Sequence, residues 1–175
     1  SVLDAMRQLA PRGVEIRGES LDSGFAALAK VGAKLVAPGG ADGLRAEVFA
    51  NANLEGNPVA TAVLTPVIRV DEGKPIAGVP AKNISVRLTG KVVGSGPHMF
   101  MCNIDDGLRV WIDGKPVFDS WKDQGATQYM ERVDFGPAAE HDVRVEYFQR
   151  EGEAVLQLAF VPQAKLDGVY GDPEQ

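Results

Sequence analysis

Two neighbouring carboxylates, Asp105 and Asp106, are the side chains of this sequence best suited to chemistry. A pair of hard oxygen donors suits calcium, which surrounds itself with about six to eight oxygens. Successive side chains on a strand point to opposite faces, so these two share an ion only where a loop or an unusual peptide bond turns both inward. Asp105-Asp106-Gly107 also reads as an ordinary turn in which a carboxylate caps backbone amides. Asn103, Asp119 and Asp123 are the candidate further oxygen donors. Trp111 and Trp121 come next. An exposed indole stacks on a sugar ring and a buried one fills a core, and both readings stand for each. Catalytic groupings are missing. A hydrolytic carboxylate pair flanks its bond at about 5 Å or more, which adjacent residues do not do. The sequence carries no serine–histidine–acid set, no glycine-rich phosphate loop and no nucleophile elbow. His98 and His141 lack metal-ligand spacing and read as surface or structural groups. Cys102, within Met99-Phe100-Met101-Cys102, reads as a small buried hydrophobe.

The chain that must position these groups has 175 residues, 45% hydrophobic and 24% charged, enough for a real core. No apolar run is long enough to span a membrane. A single cysteine excludes an internal disulfide and a cysteine-based zinc site. A net charge of −6 disfavours nucleic acid and anionic membranes as partners. The first residue is Ser rather than Met, which reads as a processed or excised piece. The charge is uneven. Residues 1–42 hold five basic and five acidic side chains, leaving 13 and 19 for residues 43–175, which therefore carry the whole −6. Phe25 is the only aromatic residue before position 43, out of twelve in the chain. The break falls near Pro38-Gly39-Gly40-Ala41-Asp42-Gly43.

Residues 1–42 read as helix, strand, helix, strand. Leu3, Met6 and Leu9 have helical spacing before Pro11 and Gly13. Val14 and Ile16 alternate as a strand, Phe25 and Leu28 mark a second helix, and Ala33–Val36 reads as a second strand. Forty residues are too few for an independent core, so this segment is expected to pack on another. From Gly43 the period becomes two. Residues 44–48, 84–88, 108–112, 143–147 and 156–160 each alternate as a half-buried strand. Asp113-Gly114 predicts a tight hairpin with left-handed turn residues. Glu151-Gly152 predicts a second hairpin joining the last two long strands, and Thr65–Asn83 reads mostly as loop. The pattern predicts a mainly β fold, an antiparallel barrel or sandwich with a small α/β N-terminal extension.

The strands, in this order, resemble the PA-fourteen domain, the protective-antigen-type β-barrel module, over about residues 43–162. Gly43-Leu44-Arg45-Ala46-Glu47-Val48-Phe49 is similar to its opening strand, and Ser85-Val86-Arg87-Leu88-Thr89-Gly90 to its arginine, aromatic, threonine, glycine stretch. Asp105-Asp106-Gly107-Leu108-Arg109-Val110-Trp111-Ile112-Asp113-Gly114, followed by Trp121, is the strongest match. Residues 143–148 and 151–160 are similar to the closing hairpin. Val48, Leu88 and Phe160 replace aromatic residues usual in the family and keep the hydrophobic character. Residues 163–175 follow as a C-terminal tail.

The resemblance implies a non-catalytic carbohydrate-binding or adhesion module in an extracytoplasmic place. In sugar-binding members the matching aspartates are joined by a cis peptide and hold calcium, which grips sugar hydroxyls; the same role is implied for Asp105 and Asp106. A second reading is an accessory domain inserted in or appended to a glycoside hydrolase, shaping substrate access without metal. Residues 1–17 resemble the helix–strand unit that precedes such an insertion in family-three β-glucosidases. A third is a protein-interaction domain of an envelope or scaffold component.

Overall fold

The computed structural model describes residues 30–65, 67–70, 82–152 and 154–170. The helices and the strand expected within residues 1–29, and most of Thr65–Asn83, lie outside these residues.

Among the described residues these elements follow in order: β1 (Lys34–Val36), β2 (Leu44–Phe49), β3 (Ala60–Leu64), β4 (Val67–Val70), β5 (Ile84–Val93), β6 (Pro97–Asp105), β7 (Gly107–Ile112), β8 (Lys115–Ser120), β9 (Thr127–Asp134), β10 (Glu140–Gln149), β11 (Ala154–Pro162) and α1 (Gln163–Tyr170). They form two antiparallel sheets. The first runs β3-β2-β5-β10-β7-β8, with β1 also paired to β5; the second runs β4-β11-β6-β9. The sheets do not close on one another, so the architecture is a sandwich rather than a barrel.

Four of the five alternating strands, β2, β5, β7 and β10, lie in the first sheet, where one face is buried; the fifth, residues 156–160, belongs to β11 of the second sheet and is buried on both faces rather than half-buried. Leu88, Val110 and Val145 point inward, and the residues between them carry charge outward. They meet Phe100, Ile104, Leu158 and Phe160 of the second sheet. The Phe100 ring lies 5.3 Å from Phe118 and 5.2 Å from Phe160, which joins the two layers. The second sheet is also covered on its outer side, where Met101, Ala159 and Val161 pack with Leu166 of α1. This is why all but the last residue of β11 is buried. Cys102 faces the core, and burial pushes its thiol up to about 12.

Two expectations about connections need correction. Asp113 and Gly114 take φ values of 48° and 75° and close the expected β7–β8 hairpin. Glu151-Gly152 does turn the chain, but β10 pairs with β5 and β7 while β11 pairs with β4 and β6. The turn is a crossing between sheets, because both neighbours of β10 are already taken. Within Thr65–Asn83, Val67–Val70 is a strand rather than loop and pairs with β11.

His98 and His141 are both buried and structural. The His98 ring stacks on Phe135, with centroids 4.2 Å apart. His141 bonds Asp113 Oδ2 through Nδ1 at 2.6 Å and the Ala138 carbonyl through Nε2 at 3.0 Å. It thereby ties the β7–β8 turn to the start of β10. The bond to Asp113 is the main reason the His141 pKa is raised, against the pull of burial, and the same bond is the main reason the Asp113 pKa is lowered.

Two outcomes are expected. Phe100→Ala removes a fully buried ring and should cost about 3–5 kcal/mol in urea unfolding, whereas Met130→Ala, at a residue 46% exposed, should stay within about 0.5 kcal/mol. The raised imidazole contributes stability below the unfolded histidine's pKa and loses it as pH rises through the folded value. The lowered carboxyl contributes above its unfolded pKa and loses it as pH falls through the folded value. Wild type should therefore exceed His141→Asn by most at about pH 5 and by less toward pH 9. A pH-independent difference in urea midpoint would contradict this role for the pair.

Candidate functional site

Asp106 is the single residue between β6 of the second sheet and β7 of the first, and the Asp105–Asp106 peptide is cis. The next residue must be glycine, since a β-carbon on Gly107 would stand 2.1 Å from Phe148 Cε1. The Asp106 side chain is buried. Its Oδ1 accepts the backbone N–H of Gln124 at 3.0 Å and its Oδ2 that of Arg150 at 2.9 Å. The Asp106 carbonyl accepts Gln124 Nε2 at 2.8 Å, and Gln124 Oε1 accepts the Tyr129 hydroxyl at 2.7 Å. Gln124 lies on the β8–β9 connection and Arg150 on the β10–β11 connection. Both run between sheets, so one carboxylate links three crossings at one end of the sandwich. Asp105 is half-buried, and its carbonyl accepts the Tyr147 hydroxyl. Burial first, then the charges of Asp105 and Asp106, raise the Tyr147 pKa, so Tyr147 remains a donor.

A cavity of about 390 Å³ opens beside Asp106, lined also by Asn83, Asp123, Arg150 and Glu151. Asp123 Oδ1 stands 3.1 Å from Arg150 Nε, and both side chains are more than half exposed. Of the further oxygen donors expected from sequence, Asp123 alone is here. Asn103 is buried in the second sheet and donates to Gln157 Oε1 at 3.1 Å. Asp119 is exposed on β8, opposite Arg109 of β7. Sequence reasoning missed Asn83, Arg150 and Glu151. The Glu151-Gly152 turn was the available signal, had it been read as a crossing.

In donor type the cavity fits a hard cation, since Asp106, Asp123, Glu151 and Asn83 all offer oxygen. Each Asp106 oxygen takes one of these amide N–H groups and has a second lone pair. Among the described residues no three His, Cys, Asp or Glu side chains are already gathered to hold an ion.

Neither tryptophan is in the core. Trp111 is half-buried on the outer face of the first sheet, with the Arg144 guanidinium 4.1 Å from its ring centroid. Trp121 is half-buried just beyond β8, with Arg109 at 4.0 Å and the Phe148 ring 4.6 Å away in a T-shaped contact. Arg109 donates to Glu146 Oε2 at 2.9 Å, and Arg87 to Glu146 Oε1 at 3.4 Å. Register places Glu47, Arg87, Glu146, Arg109 and Asp119 in one row of alternating charge across five strands.

The chain can be placed among known proteins. The family model of the PA14 domain matches residues 40–167. The anti-sigma-I factor RsgI3 of Acetivibrio thermocellus is 33% identical over 124 residues, 69% of this chain. This chain spans only 19% of that relative's length. Among solved structures, an anti-sigma factor domain-containing protein is 31% identical with a TM-score of 0.62, covering 70% of this chain and 44% of its own. The PA14 sugar-binding domain from an RTX adhesin shares the fold at 19% identity and a TM-score of 0.58, over 70% of this chain and 90% of its own. A β-glucosidase from Kluyveromyces marxianus in complex with glucose does so at 18% identity and a TM-score of 0.59, over 75% of this chain and 17% of its own. With its two antiparallel sheets and a family match over residues 40–167, the chain belongs to the PA14 domain family.

Proposed function

We propose that this chain is a non-catalytic carbohydrate-binding module of a larger extracytoplasmic protein, with calcium held at Asp105 and Asp106. The observation that carries the reading is the oxygen-lined cavity at the sheet crossings, where Asp106 is fixed by two amides and Asp123, Glu151 and Asn83 stand around it. The sugar-binding PA14 domain of the RTX adhesin has the same fold. Calcium bound there would supply a charge-dense point for vicinal sugar hydroxyls. Asp106 and Asp123 would hold it, and Asn83 and Glu151 would offer hydrogen bonds to the remaining hydroxyls. Trp121 borders this end of the sandwich through the connection it shares with Asp123 and Gln124, and offers an apolar edge to the sugar.

A second reading is favoured by Arg150. Its guanidinium already stands against Asp123, and its amide already engages Asp106, so the loops hold together without an ion. In that reading the chain is an accessory domain of a glycoside hydrolase that shapes substrate access, as the shared fold of the K. marxianus β-glucosidase suggests.

Calorimetry with calcium, followed by ligand-observed NMR with a monosaccharide panel, separates the two. The first reading expects calcium binding, sugar binding only with calcium present, and loss of both in Asp105→Ala. Asp123→Asn, on an exposed side chain, should weaken calcium binding without loss of fold. No calcium binding and no sugar signal at millimolar ligand would overturn it, as would neutral-sugar binding indifferent to chelator; a glycoside hydrolase catalytic domain in the same full-length protein would select the second. In either case Asp106→Ala strips the acceptor from two backbone amides and should lower unfolding stability by about 3 kcal/mol.

A further inference from the structure

A cleft of about 720 Å³ lies at the other end of β7, on the outer face of the first sheet. That volume falls in the range of small-ligand sites, about 300–1,000 Å³. Pro38, Gly39 and Gly40 form one wall and Trp111 another. The floor is Thr89 and Lys91 of β5 with Asp142 and Arg144 of β10. Gly39 and Gly40 take φ values of 94° and 90°, a left-handed turn that side-chain-bearing residues resist, and this turn forms the wall.

Arg144 gives the cleft its chemistry. Its guanidinium carbon stands over the Trp111 indole, 4.1 Å from the ring centroid, and its side chain is 49% exposed. Its acidic neighbour, Glu146, stands 4.0 Å away, beyond hydrogen-bond reach, and both Glu146 oxygens already accept from Arg87 and Arg109. Arg144 is thus a cation set over an indole whose carboxylate contact among the described residues, Glu146, is an ion pair at 4.0 Å that it shares with Arg87 and Arg109. The register row through it, Arg45, Thr89, Arg144 and Trp111, contains no acid. A guanidinium set over an indole and half exposed has N–H donors to offer a planar carboxylate, which it can grip with two parallel bonds.

We propose that this cleft binds a carboxylate-bearing sugar of the uronate class, with Arg144 as the carboxylate receptor. The Thr89 hydroxyl and the Asp142 carboxylate, which accepts Lys91 at 3.0 Å, supply hydroxyl partners beside it. Asp142 also favours one carboxylate surrounded by hydroxyls over an acidic peptide carrying several like charges. The site needs no metal and is separate from the cavity at Asp106.

The test is an NMR titration of the chain with D-glucuronate, following the Trp111 indole N–H, in the presence of chelator. Glucuronate should shift this signal at millimolar concentration, and the shift should weaken with added salt. Glucose and methyl glucuronate ester should bind about ten-fold more weakly, because each lacks the ionised carboxylate. Arg144→Gln should weaken glucuronate binding about ten-fold with an unchanged melting temperature, while Arg144→Lys keeps part of the affinity. Asp123→Asn should leave it unchanged, which separates this site from the calcium-dependent one. An absent shift, an equal response to glucose, or an unaltered affinity in Arg144→Gln would overturn the proposal. So would a tetraglutamate peptide that shifts the signal where glucuronate does not.

Discussion

One carboxylate holds one end of this sandwich together. A two-sheet fold must carry its chain across the gap between layers, and each crossing exposes backbone amides that no ladder satisfies. Here three crossings meet, and Asp106 accepts an amide from each of the two it does not itself occupy. An ionised side chain does this better than a neutral one, since charge-assisted bonds are shorter and stronger. Gly107 follows from the same constraint, because the ring of Phe148 fills the space a side chain would need.

Electrostatics on the outer face of the first sheet are organised around a different acid. Glu146 is almost buried and accepts from Arg87 and Arg109. Two arginines on one carboxylate leave the third, Arg144, to rest on an indole. The two tryptophans thus serve as platforms for guanidinium groups, and within an acidic chain of net charge −6 the row Arg45, Thr89, Arg144 and Trp111 is cationic. Net charge describes how the whole chain repels or attracts at a distance, whereas recognition at short range follows the local row.

Much of the fold was legible because burial on one face writes a period of two. β2, β5, β7 and β10 show it plainly, and Asp113-Gly114 has the backbone preference its hairpin needs. β6 was hard to see because α1 and the core cover both its sides, which removes the alternation from Met99-Phe100-Met101-Cys102. Glu151-Gly152 looked like a hairpin because turn chemistry is local and says nothing about which sheet the next strand joins. At the site, residue type singled out Asp106, but its partners are the amides of Gln124 and Arg150, and an amide has no signature in sequence. Asn103 and Asp119 do not line the cavity beside Asp106. The pleat turns Asn103 toward Gln157 and sets Asp119 beside Arg109.

β7 connects the two proposed sites, which differ in character. At its start, carboxylates surround a cavity that suits cations and the hydroxyls they polarise. At its end, an indole and an under-neutralised arginine border a cleft that suits an anion. At about 3.3 Å per residue the six residues of β7 hold the two less than about 20 Å apart, within reach of one oligosaccharide of a few rings. A saccharide that carries both vicinal hydroxyls and a carboxylate would gain from both ends at once. The second contact would then be made at the high effective concentration that tethering provides. The rigidity of a central strand, paired on both sides by β8 and β10, fixes that spacing.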